Sequence, residues 1–515
     1  MKKNGKSRIA IVGAGPGGLT AAMVLAKRGF QVDVFERSPV VGGRNAELRL
    51  GDFRFDVGPT FLMMKFVLDK VFEEAGVQSD EVLSFRRLDP MYRLIFPEFS
   101  LDVTENRDQM RSEIARCFPG EEKGLDLFLA REAKRFSHIY GCLEKDYSSV
   151  KQFFTLDFLR AIPHIPLGRS LFQYLGNYFK PEKLRLCFTF QSKYLGMSPW
   201  ECPGFFAILP YVEHAYGIFH VQGGLSEISR AMAQVAEKNG ARIHLSTSVK
   251  QVILDGRRVT GLELADGSRI EAEATILNAD FAHAMRSLIP EGTLRKYTPD
   301  KLERKKFSCS TFMMYLGLNR TYPDMPHHSI VFARNYRENT EDIFRELQLS
   351  DDLSFYIRNS SVTDPHVAPA GKSAVYILVP VPNTQSGIDW GMEKTRLREH
   401  VLNLIAQRTP MGDLRPYIEA ERLITPADWE ASGVFRGATF NLSHSMDQML
   451  YFRPHNEFEE LESCYLVGGG THPGSGLPTI YQSGLIAANL IAGKYGRSTD
   501  GNIAIGRLGQ KDAEA

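Results

Sequence analysis

Residues 9–36 read IAIVGAGPGGLTAAMVLAKRGFQVDVFE and decide the fold. A short β-branched run at 9–12 precedes a glycine-rich turn, a helix-forming segment at 19–28 and a second strand-like run at 31–35. This order predicts a β-α-β unit that opens a doubly wound parallel sheet. The apolar run could also suggest a signal peptide or a membrane span, but its glycines would break a spanning helix and exclude both.

The turn of this unit has the composition of a phosphate-binding loop. Its residues fit the pattern G-x-G-x-x-G and are Gly13, Ala14, Gly15, Pro16, Gly17 and Gly18. Small residues let the backbone approach a pyrophosphate, and the start of the following helix offers free N–H groups to the anion. Glu36 closes the second strand about twenty residues later, where its carboxylate can accept hydrogen bonds from ribose hydroxyls. The unit therefore predicts a dinucleotide site.

The composition is that of an ordinary globular protein. The 515 residues are 43% hydrophobic, with 62 Lys and Arg against 61 Asp and Glu. This length favours two domains, and the charge balance gives no support for nucleic-acid binding. The six cysteines include no CxxC pair, so we predict reduced thiols in a cytoplasmic protein and no zinc site. No other apolar stretch approaches the roughly 18 to 20 residues that span a bilayer, so no transmembrane helix is predicted.

The remaining segments predict two domains that are interleaved in the chain. Strand signals at 242–245, 274–277 and 465–467 suit a return to the doubly wound domain, while 307–429 alternates strands and helices as an α+β domain does. The second domain also carries a largely helical insertion at 124–211. The predicted parts are 1–85, 220–292 and 455–495 for the first domain, 86–219 and 293–454 for the second, and 496–515 for a polar tail expected to be disordered.

A second glycine pair and an arginine follow the first unit. The segment Val41-Gly42-Gly43-Arg44 resembles its counterpart in flavoproteins of the amine-oxidase-like superfamily, where an arginine lies beside the phosphates. A guanidinium fits a phosphate by its charge and its fork geometry. Without the resemblance, the pair would be only a turn and Arg44 a solvated charge. The resemblance implies FAD rather than NAD, held by a Rossmann-type domain.

Two longer motifs resemble the bacterial phytoene desaturase family of carotenoid biosynthesis. They are Asp56-Val57-Gly58-Pro59-Thr60 and GGGTHPGSGLP at 468–478. Together with shorter similar segments they extend the resemblance over residues 8–493; those segments lie at 222–225, 278–280, 315–319, 327–328 and 452–456. The resemblance implies a non-covalently held FAD, with the loop from Gly468 to Gly476 facing its ribityl and isoalloxazine parts. Backbone N–H groups in that loop can stabilise negative charge on a reduced flavin.

The resemblance also completes the predicted cofactor site. Its residues are Gly13, Ala14, Gly15, Pro16, Gly17, Gly18, Glu36, Arg37, Gly42, Gly43, Arg44, Gly58, Pro59, Thr60, Val249, Gly469, Gly470, Thr471, Leu477 and Pro478. By similarity, Val249 would contact the adenine through its main chain. Where many members of the superfamily have an acidic residue, this chain has Gly469, so backbone contacts are expected to replace a carboxylate at the ribityl.

Three histidines near these motifs suggest chemistry of their own. His472 has a side chain that titrates near neutral pH, but a histidine in a glycine-rich turn can simply hydrogen-bond its loop, and we favour that role over acid or base catalysis. His327 and His328 are adjacent, so in a strand they point to opposite faces, and we predict no metal site there. No catalytic residue is assigned from the sequence.

The resemblance implies an FAD-dependent oxidoreductase that desaturates phytoene or a similar acyclic carotenoid precursor to conjugated carotenes. Hydride would pass to flavin N5 while a proton leaves, and orientation and exclusion of water would lower the barrier. Oxygen or a membrane quinone would reoxidise the flavin. The motifs leave open a hydroxycarotenoid 3,4-desaturase, a diapophytoene desaturase, a ketolase or an isomerase. An amine oxidase-like enzyme and a non-catalytic flavin-binding carotenoid carrier are the more distant alternatives.

The helical insertion mixes basic and apolar residues as interfacial helices do. Its basic residues are Lys151, Arg160, Arg169, Lys180, Lys183 and Arg185, and its apolar ones are Phe153, Phe154, Leu156, Phe158, Leu159, Leu167, Leu171, Phe172 and Phe179. Many buried helices with solvated edges share this composition. Because the expected substrate dissolves in lipid, we expect peripheral docking on the cytoplasmic membrane through the stretch 151–185.

Overall fold

The computed structural model describes residues 7–166 and 168–497, so Leu167 and nearly all of the predicted polar tail lie outside the described residues. The strands are β1 (Arg8–Val12), β2 (Gln31–Phe35), β3 (Glu47–Leu50), β4 (Phe53–Asp56), β5 (Phe85–Arg87), β6 (Tyr92–Ile95), β7 (Ser100–Val103), β8 (Phe219–Val221), β9 (Arg242–His244), β10 (Val249–Asp255), β11 (Arg258–Leu264), β12 (Arg269–Glu271), β13 (Ala274–Leu277), β14 (Ser310–Leu318), β15 (His328–Val331), β16 (Phe355–Asn359), β17 (Ser373–Val381), β18 (Ile418–Ile424) and β19 (Cys464–Leu466). The α-helices are α1 (Pro16–Lys27), α2 (Lys65–Glu74), α3 (Ser79–Val82), α4 (Arg107–Cys117), α5 (Glu122–Leu143), α6 (Leu156–Ala161), α7 (Leu171–Leu175), α8 (Glu182–Cys187), α9 (Ile208–Tyr216), α10 (Ser226–Lys238), α11 (Phe281–Ser287), α12 (Pro299–Glu303), α13 (Tyr336–Glu341), α14 (Trp390–Arg408), α15 (Pro426–Ala431) and α16 (Leu477–Lys494).

A parallel sheet forms the first domain, with strand order β19-β13-β1-β2-β9. Ile9 in β1 lies between Ala274 and Val32, and the register continues to Val12. Strand β1 is apolar and buried from Ile9 to Val12, as is typical of parallel strands covered on both faces. Helix α1 packs between α10 and α16 over one face. The sheet thus brings together the turn after β1, the end of β2 and the loop after β19.

A mixed sheet forms the second domain, with strand order β18-β14-β17-β16-β15-β6-β7. Its centre is the antiparallel pair β14 and β17, whose register runs from Ser310 opposite Val381 to Leu318 opposite Ser373. Side chains of β14 alternate between two cores, as the period of a strand requires. Phe312 packs in the core that includes α14, and Met313 packs in the core that includes β4.

The chain enters the parallel sheet in three separate stretches, at β1 and β2, at β9 and β13, and at β19. The mixed sheet takes its strands from the intervening stretches. This order confirms the predicted α/β fold, with a doubly wound domain and an interleaved α+β domain. A three-stranded antiparallel sheet of β10, β11 and β12 completes the first domain.

The insertion between β7 and β8 is helical, as predicted, but only part of the stretch 151–185 is exposed. Leu171 and Phe179 are buried, and Phe179 packs against Phe128 of α5, so these apolar side chains in the second half are not available to a membrane surface. The exposed apolar residues lie at its start and are Val150, Phe154, Leu156, Leu159 and Ile162. Within the described residues, no helix is both long and apolar enough to cross a bilayer.

Candidate cofactor and substrate site

The glycine-rich turn between β1 and α1 has no room for side chains. Gly13 has a φ of 97°, and a Cβ at Gly18 would lie 2.3 Å from the Gly13 carbonyl oxygen. Asn278, just past β13, donates from Nδ2 to the carbonyls of Gly13 at 3.0 Å and Gly15 at 3.3 Å. The N-cap of α1 is Gly15, which has no side chain, so the first N–H groups of this helix are left for an anion.

Glu36 lies at the end of β2 beside this turn. Its Oε2 accepts from the Ala14 N–H at 2.8 Å and its Oε1 from the Ser38 N–H at 2.9 Å. Each carboxylate oxygen keeps a lone pair for a ribose hydroxyl. The Thr247 N–H donates to the Glu36 carbonyl at 2.8 Å, which brings Val249, at the start of β10, to the side where the adenine is expected.

Arg37 points away from the glycine turn. Its exposed guanidinium donates to the Ser432 carbonyl, and Gly433 leaves the space that the guanidinium fills. Arg37, although predicted as a cofactor residue, therefore tethers the loop that follows α15 in the second domain.

The second glycine pair is attached to the first turn. The Gly42 N–H donates to the Ala14 carbonyl at 2.8 Å, and a Cβ on Gly43 would meet the Gly15 Cα at 3.7 Å. A Cβ on Gly58 would lie 2.7 Å from the Arg44 carbonyl oxygen. The three predicted glycine segments therefore approach one another through their backbones.

Arg44 takes part in a chain of polar contacts that ends at Asp280. Its Nη1 donates to the Thr439 carbonyl at 2.7 Å. The Asn441 amide lies between Arg44 and Asp280. In the orientation that satisfies both, the amide oxygen accepts from Arg44 Nη2 at 2.8 Å and the amide nitrogen donates to Asp280 Oδ2 at 2.7 Å. Burial lowers the pKa of Arg44 and raises the pKa of Asp280, while the attraction between the two charges opposes both shifts. This chain sets the position from which the guanidinium could meet a phosphate.

Three tyrosines of the mixed sheet donate to the segment 57–60. They are Tyr315 of β14 to the Val57 carbonyl at 2.6 Å, Tyr376 of β17 to the Gly58 carbonyl at 3.0 Å, and Tyr356 of β16 to Thr60 Oγ1 at 2.9 Å. Burial raises the pKa of all three phenols, so they stay protonated and donate. The second domain thereby fixes a predicted cofactor segment of the first.

A buried ion pair joins the two domains next to this segment. Arg358 Nη1 donates to Asp56 Oδ2 at 2.6 Å, and both side chains are at most 3% exposed. Asp56 also accepts from the N–H groups of Leu225 at 3.0 Å and Ser226 at 2.8 Å at the start of α10. Because the carboxylate is fully partnered, the pair avoids the cost of an uncompensated buried charge.

Arg453 holds the glycine-rich loop after β19 through hydrogen bonds to its backbone carbonyls. This fully buried guanidinium donates from Nη2 to the Gly469 carbonyl at 2.6 Å and from Nε to the Thr471 carbonyl at 3.1 Å. Its remaining bonds reach the carbonyls of Leu442 at 3.2 Å, Gln448 at 3.2 Å and Ser443 at 3.4 Å. Burial lowers the pKa of Arg453 to about 9, so it stays charged at neutral pH. Arg453 thus sets the shape of the loop expected to face the flavin.

His472 is buried within the same loop. Its Nε2 bonds to the Lys145 carbonyl at 2.9 Å, and its own carbonyl accepts from Asn456 Nδ2 at 3.0 Å. Burial lowers the pKa of His472 to about 3. The imidazole is therefore neutral at physiological pH, and it bonds not to its own loop, as expected from the sequence, but to the chain just after α5.

His327 and His328 lie in a hydrogen-bonded network. His327 Nε2 accepts from Arg358 Nε at 3.2 Å, and His328 Nδ1 bonds to Tyr356 Oη at 2.7 Å. Burial lowers the pKa of both imidazoles well below the ordinary value. Among the described residues, no group of three or more His, Cys, Asp or Glu side chains could hold a metal ion.

The residues present fit a dinucleotide with a ring system at its far end. Helix α16 begins after Gly476, as α1 begins after Gly15, so both present free N–H groups at their starts. The two helices cross closely, because a Cβ on Gly484 would lie 2.6 Å from the Gly17 carbonyl oxygen. A Cβ on Gly17 would meet the Gly468 nitrogen at 3.4 Å. The phosphate turn and the loop at 468–476 are thus parts of one continuous site.

A cavity lies against the end of this loop, with about 100 Å³ of space that water could occupy and about 820 Å³ when its opening to solvent is counted. Its apolar lining comes from α2, α5, α9 and the segments between them, and consists of Met64, Val67, Phe136, Tyr140, Leu143, Leu195, Phe205, Phe206, Ile208, Leu209, Val212, Met449, Pro473 and Pro478. Pro473 and Pro478 belong to the motif that is expected to face the flavin. The cavity therefore offers a long apolar molecule a place beside the expected flavin ring.

Few polar groups face this cavity. Glu144 is the one carboxylate among the described lining residues, and its Oε1 accepts from Lys70 Nζ at 2.9 Å. His444 Nε2 accepts from the Ser475 N–H at 3.1 Å, and burial lowers its pKa well below the ordinary value. Both groups are therefore engaged in contacts with the protein itself.

Several residues that shape the site were not assigned from the sequence. Asn278 and Arg453 lie in quoted motifs but received no role, and Asn441 lies in none. The contacts of Asn278 and Asn441 reach residues far away in the chain. The signal that could have found Asn278 is its position at the end of a parallel strand next to β1, where polar side chains meet ligands and turns.

Known proteins resemble this chain in sequence and in fold. The chain matches the family of flavin containing amine oxidoreductases over residues 16–492. It is 51% identical over 488 residues to a 4,4'-diapophytoene desaturase (4,4'-diapolycopene-forming) of Methylomonas sp, with 95% of each chain covered. It is 32% identical over 507 residues to a phytoene desaturase (neurosporene-forming) of Rhodobacter capsulatus, with 95% of each covered. A putrescine oxidase variant shares the fold, with a TM-score of 0.63 and 14% identity over 96% of this chain and 99% of that one.

Proposed function

The chain belongs to the flavin containing amine oxidoreductases and, among them, to the FAD-dependent carotenoid desaturases, and from that premise we propose that it desaturates a C30 acyclic precursor of the 4,4'-diapophytoene type. The cavity carries this proposal, because its lining is apolar and it ends at the loop expected to face the flavin. The relative that acts on 4,4'-diapophytoene shares 51% of its residues with this chain, against 32% for the relative that acts on phytoene.

FAD, when bound, supplies the hydride acceptor for this oxidation. The chain's own residues do the positioning. The apolar walls from α5 and α9 align the polyene and exclude water, and Pro473 and Pro478 bring the wall against the flavin-facing loop. The Lys70 ammonium pairs with Glu144, so this carboxylate of the wall has its own counter-ion. Catalysis on this account comes from orientation and desolvation. Oxygen or a membrane quinone would then reoxidise the cofactor.

The substrate and the reoxidising quinone dissolve in lipid, which favours peripheral association with the cytoplasmic membrane. We place the docking surface at 150–162, where the exposed fractions reach 76% for Phe154 and 61% for Leu156. Large apolar side chains with such exposure are typical of interaction sites. Helix α6 in this segment packs against α5, whose residues line the cavity, so docking here would place the cavity near the lipid.

The test is a competition between two precursors. FAD-loaded protein in neutral detergent receives 4,4'-diapophytoene and phytoene together, and products are separated by chromatography and identified by their absorption maxima. We expect kcat/KM for the C30 precursor to exceed that for the C40 precursor by at least about 10-fold, since extra apolar length must fit the cavity. Faster conversion of phytoene would assign the C40 substrate. Failure to convert either would shift the assignment to a later, carotenoid-modifying step.

A further inference from the structure

Five cationic side chains line one depression on the surface, at α12 and the chain on either side of it. They are Lys296, Lys301, Arg304, Lys305 and Lys306, and we call them the basic cluster. Asp447 is the one carboxylate that lines the same depression among the described residues. The whole chain has a net charge of only +1, so this local excess of positive charge is not a general property of its surface.

The basic cluster is only partly neutralised. Lys296 pairs with Glu459 at 2.6 Å, and Lys306 pairs more loosely with Asp447 at 3.4 Å. Within the part of the chain that the structure describes, Lys301, Arg304 and Lys305 have no carboxylate at ion-pair distance. Lys301 Nζ instead donates to a backbone carbonyl, that of Arg295, at 2.7 Å. Several donors therefore remain for an external anion.

The segment 446–452 connects the basic cluster to the exposed apolar residues of the helical insertion. At one end, the Lys306 N–H donates to Gln448 Oε1 at 3.1 Å, and Gln448 Nε2 donates to the Lys306 carbonyl at 2.8 Å. At the other end, Leu450 packs against the apolar cluster that includes Ala161, and the Tyr451 ring lies 6.4 Å from that of Phe153. The cluster and the segment 150–162 thus flank one short stretch of chain.

This connecting stretch is itself apolar at its surface. Met446 is 52% exposed and Phe452 is 58% exposed. They extend the apolar surface of 150–162 towards the basic cluster, and we call these exposed residues together the apolar patch: Val150, Phe154, Leu156, Leu159, Ile162, Met446 and Phe452. Between them in the chain, Met449 lines the substrate cavity. The same stretch therefore contacts the cationic depression, the apolar patch and the cavity.

We propose that the basic cluster binds the phosphate groups of anionic phospholipids while the apolar patch enters the bilayer surface. The inference rests on the proposed function, because it is the lipid-soluble substrate that requires a membrane beside the cavity. Charge complementarity selects this occupant, since a depression with five cations and one carboxylate favours an anionic surface. Stable peripheral binding also needs two signals, and apolar insertion with basic residues supplies both. The cluster would thereby orient the cavity towards the lipid.

The test compares the binding of FAD-loaded protein to phosphatidylcholine vesicles with and without phosphatidylglycerol. We expect the unaltered protein to bind the anionic vesicles at least about 10-fold more tightly, and the variant K301E/R304E/K306E to lose this preference. The matched control K123E/K238E/R334E makes the same change of charge at exposed positions elsewhere and should keep it. Raising the salt concentration should weaken only the anionic binding of the unaltered protein.

Retention of the preference by the cluster variant would overturn the proposal, and so would an equal loss in the control, which would assign the effect to net charge. If charge reversal prevents folding, K301Q/R304Q/K306Q repeats the test, with flavin absorbance reporting the fold. Turnover of 4,4'-diapophytoene in neutral detergent separates the two proposals. An unaltered protein that binds anionic vesicles but does not desaturate would contradict the proposed function alone. A cluster variant that desaturates in detergent and still prefers anionic vesicles would contradict the lipid site alone.

Discussion

The two ends of the site are built on different principles. The dinucleotide end consists of backbone groups, glycines and a few buried charges, and a Cβ at Gly18 would fall 2.3 Å from a carbonyl oxygen. The cavity end consists of apolar side chains from α2, α5, α9 and the loop after β19, with one paired carboxylate in its wall. The dinucleotide end depends on the close approach of backbone atoms, and the cavity end depends on the exclusion of water. A change of a single methyl group should therefore matter far more at the first end than at the second.

The largest effect expected from this difference is at Gly18. The Gly18→Ala variant should lose its bound FAD, because the new Cβ would meet backbone at 2.3 Å and the turn would have to move. Flavin absorbance of the purified protein measures this directly. Gly493→Ala is the control, since a Cβ there meets nothing within 4 Å. Full flavin loading of Gly18→Ala would show that the turn is not the dinucleotide site.

The next largest effect is expected at the ion pair that joins the domains. Arg358→Met leaves Asp56 buried without its cation, which should lower the apparent free energy of unfolding by about 3–5 kcal/mol. Arg93→Met removes a similar but partly exposed pair with Asp102 and should cost less than about 1 kcal/mol. Urea unfolding measures both variants. Equal losses would mean that burial of the Arg358 pair does not set its importance.

At the cavity, a new charge should lower kcat/KM, whereas a small change in an apolar side chain should not. Leu209→Glu places a carboxylate in the apolar wall and should lower kcat/KM for the polyene by about 10- to 100-fold, through the cost of burying it beside the substrate. Flavin loading should stay unchanged. Leu209→Met keeps the wall apolar and should stay within about 2-fold of the unaltered enzyme. A full-activity Leu209→Glu enzyme would remove this cavity from the substrate path.

A pH-dependent effect on stability is expected behind the cavity wall, at Glu213. Burial raises the pKa of this carboxyl from 4.5 to about 7, although it accepts from Gln191 at 2.7 Å and Tyr92 at 2.9 Å. The folded protein then holds a proton that the unfolded chain releases between these pH values, so stability falls as pH rises through that window. The fall should reach about 3 kcal/mol at most, and Glu213→Gln should abolish it.

Unfolding measured from pH 4.5 to 8 checks this, with Glu237→Gln on the exposed side of α10 as the control. The control should keep the pH dependence of the unaltered protein. A Glu213→Gln variant with the same fall in stability would place the responsible group elsewhere.

The difference between the dinucleotide end and the cavity end also explains which parts of the site could be predicted from the sequence. The dinucleotide end is encoded locally, because strand, turn and helix follow one another in residues 9–36, and the structure places β1, α1 and β2 there. Even there, the boundaries differ slightly, because the helix predicted at 19–28 begins at Pro16 and ends at Lys27.

The cavity end could not be derived in this way. Its wall joins side chains as distant in the chain as Met64 and Gln482, and no periodic pattern in the local sequence indicates that these side chains meet. The role of Arg453 was hidden for the same reason, since its partners are backbone carbonyls brought close by folding. The apolar stretch 151–185 had one composition throughout, yet packing buries its second half and exposes its first.

The central claim is that the cavity presents a C30 polyene to the flavin, and anaerobic mixing tests it most directly. FAD-loaded protein in neutral detergent is mixed with 4,4'-diapophytoene without oxygen, and flavin and polyene absorption are followed together. The account predicts that flavin absorbance bleaches as a longer conjugated polyene appears, and that Leu209→Glu slows both changes by the same factor. Flavin that stays oxidised with this substrate, while dithionite still reduces it, would contradict the account.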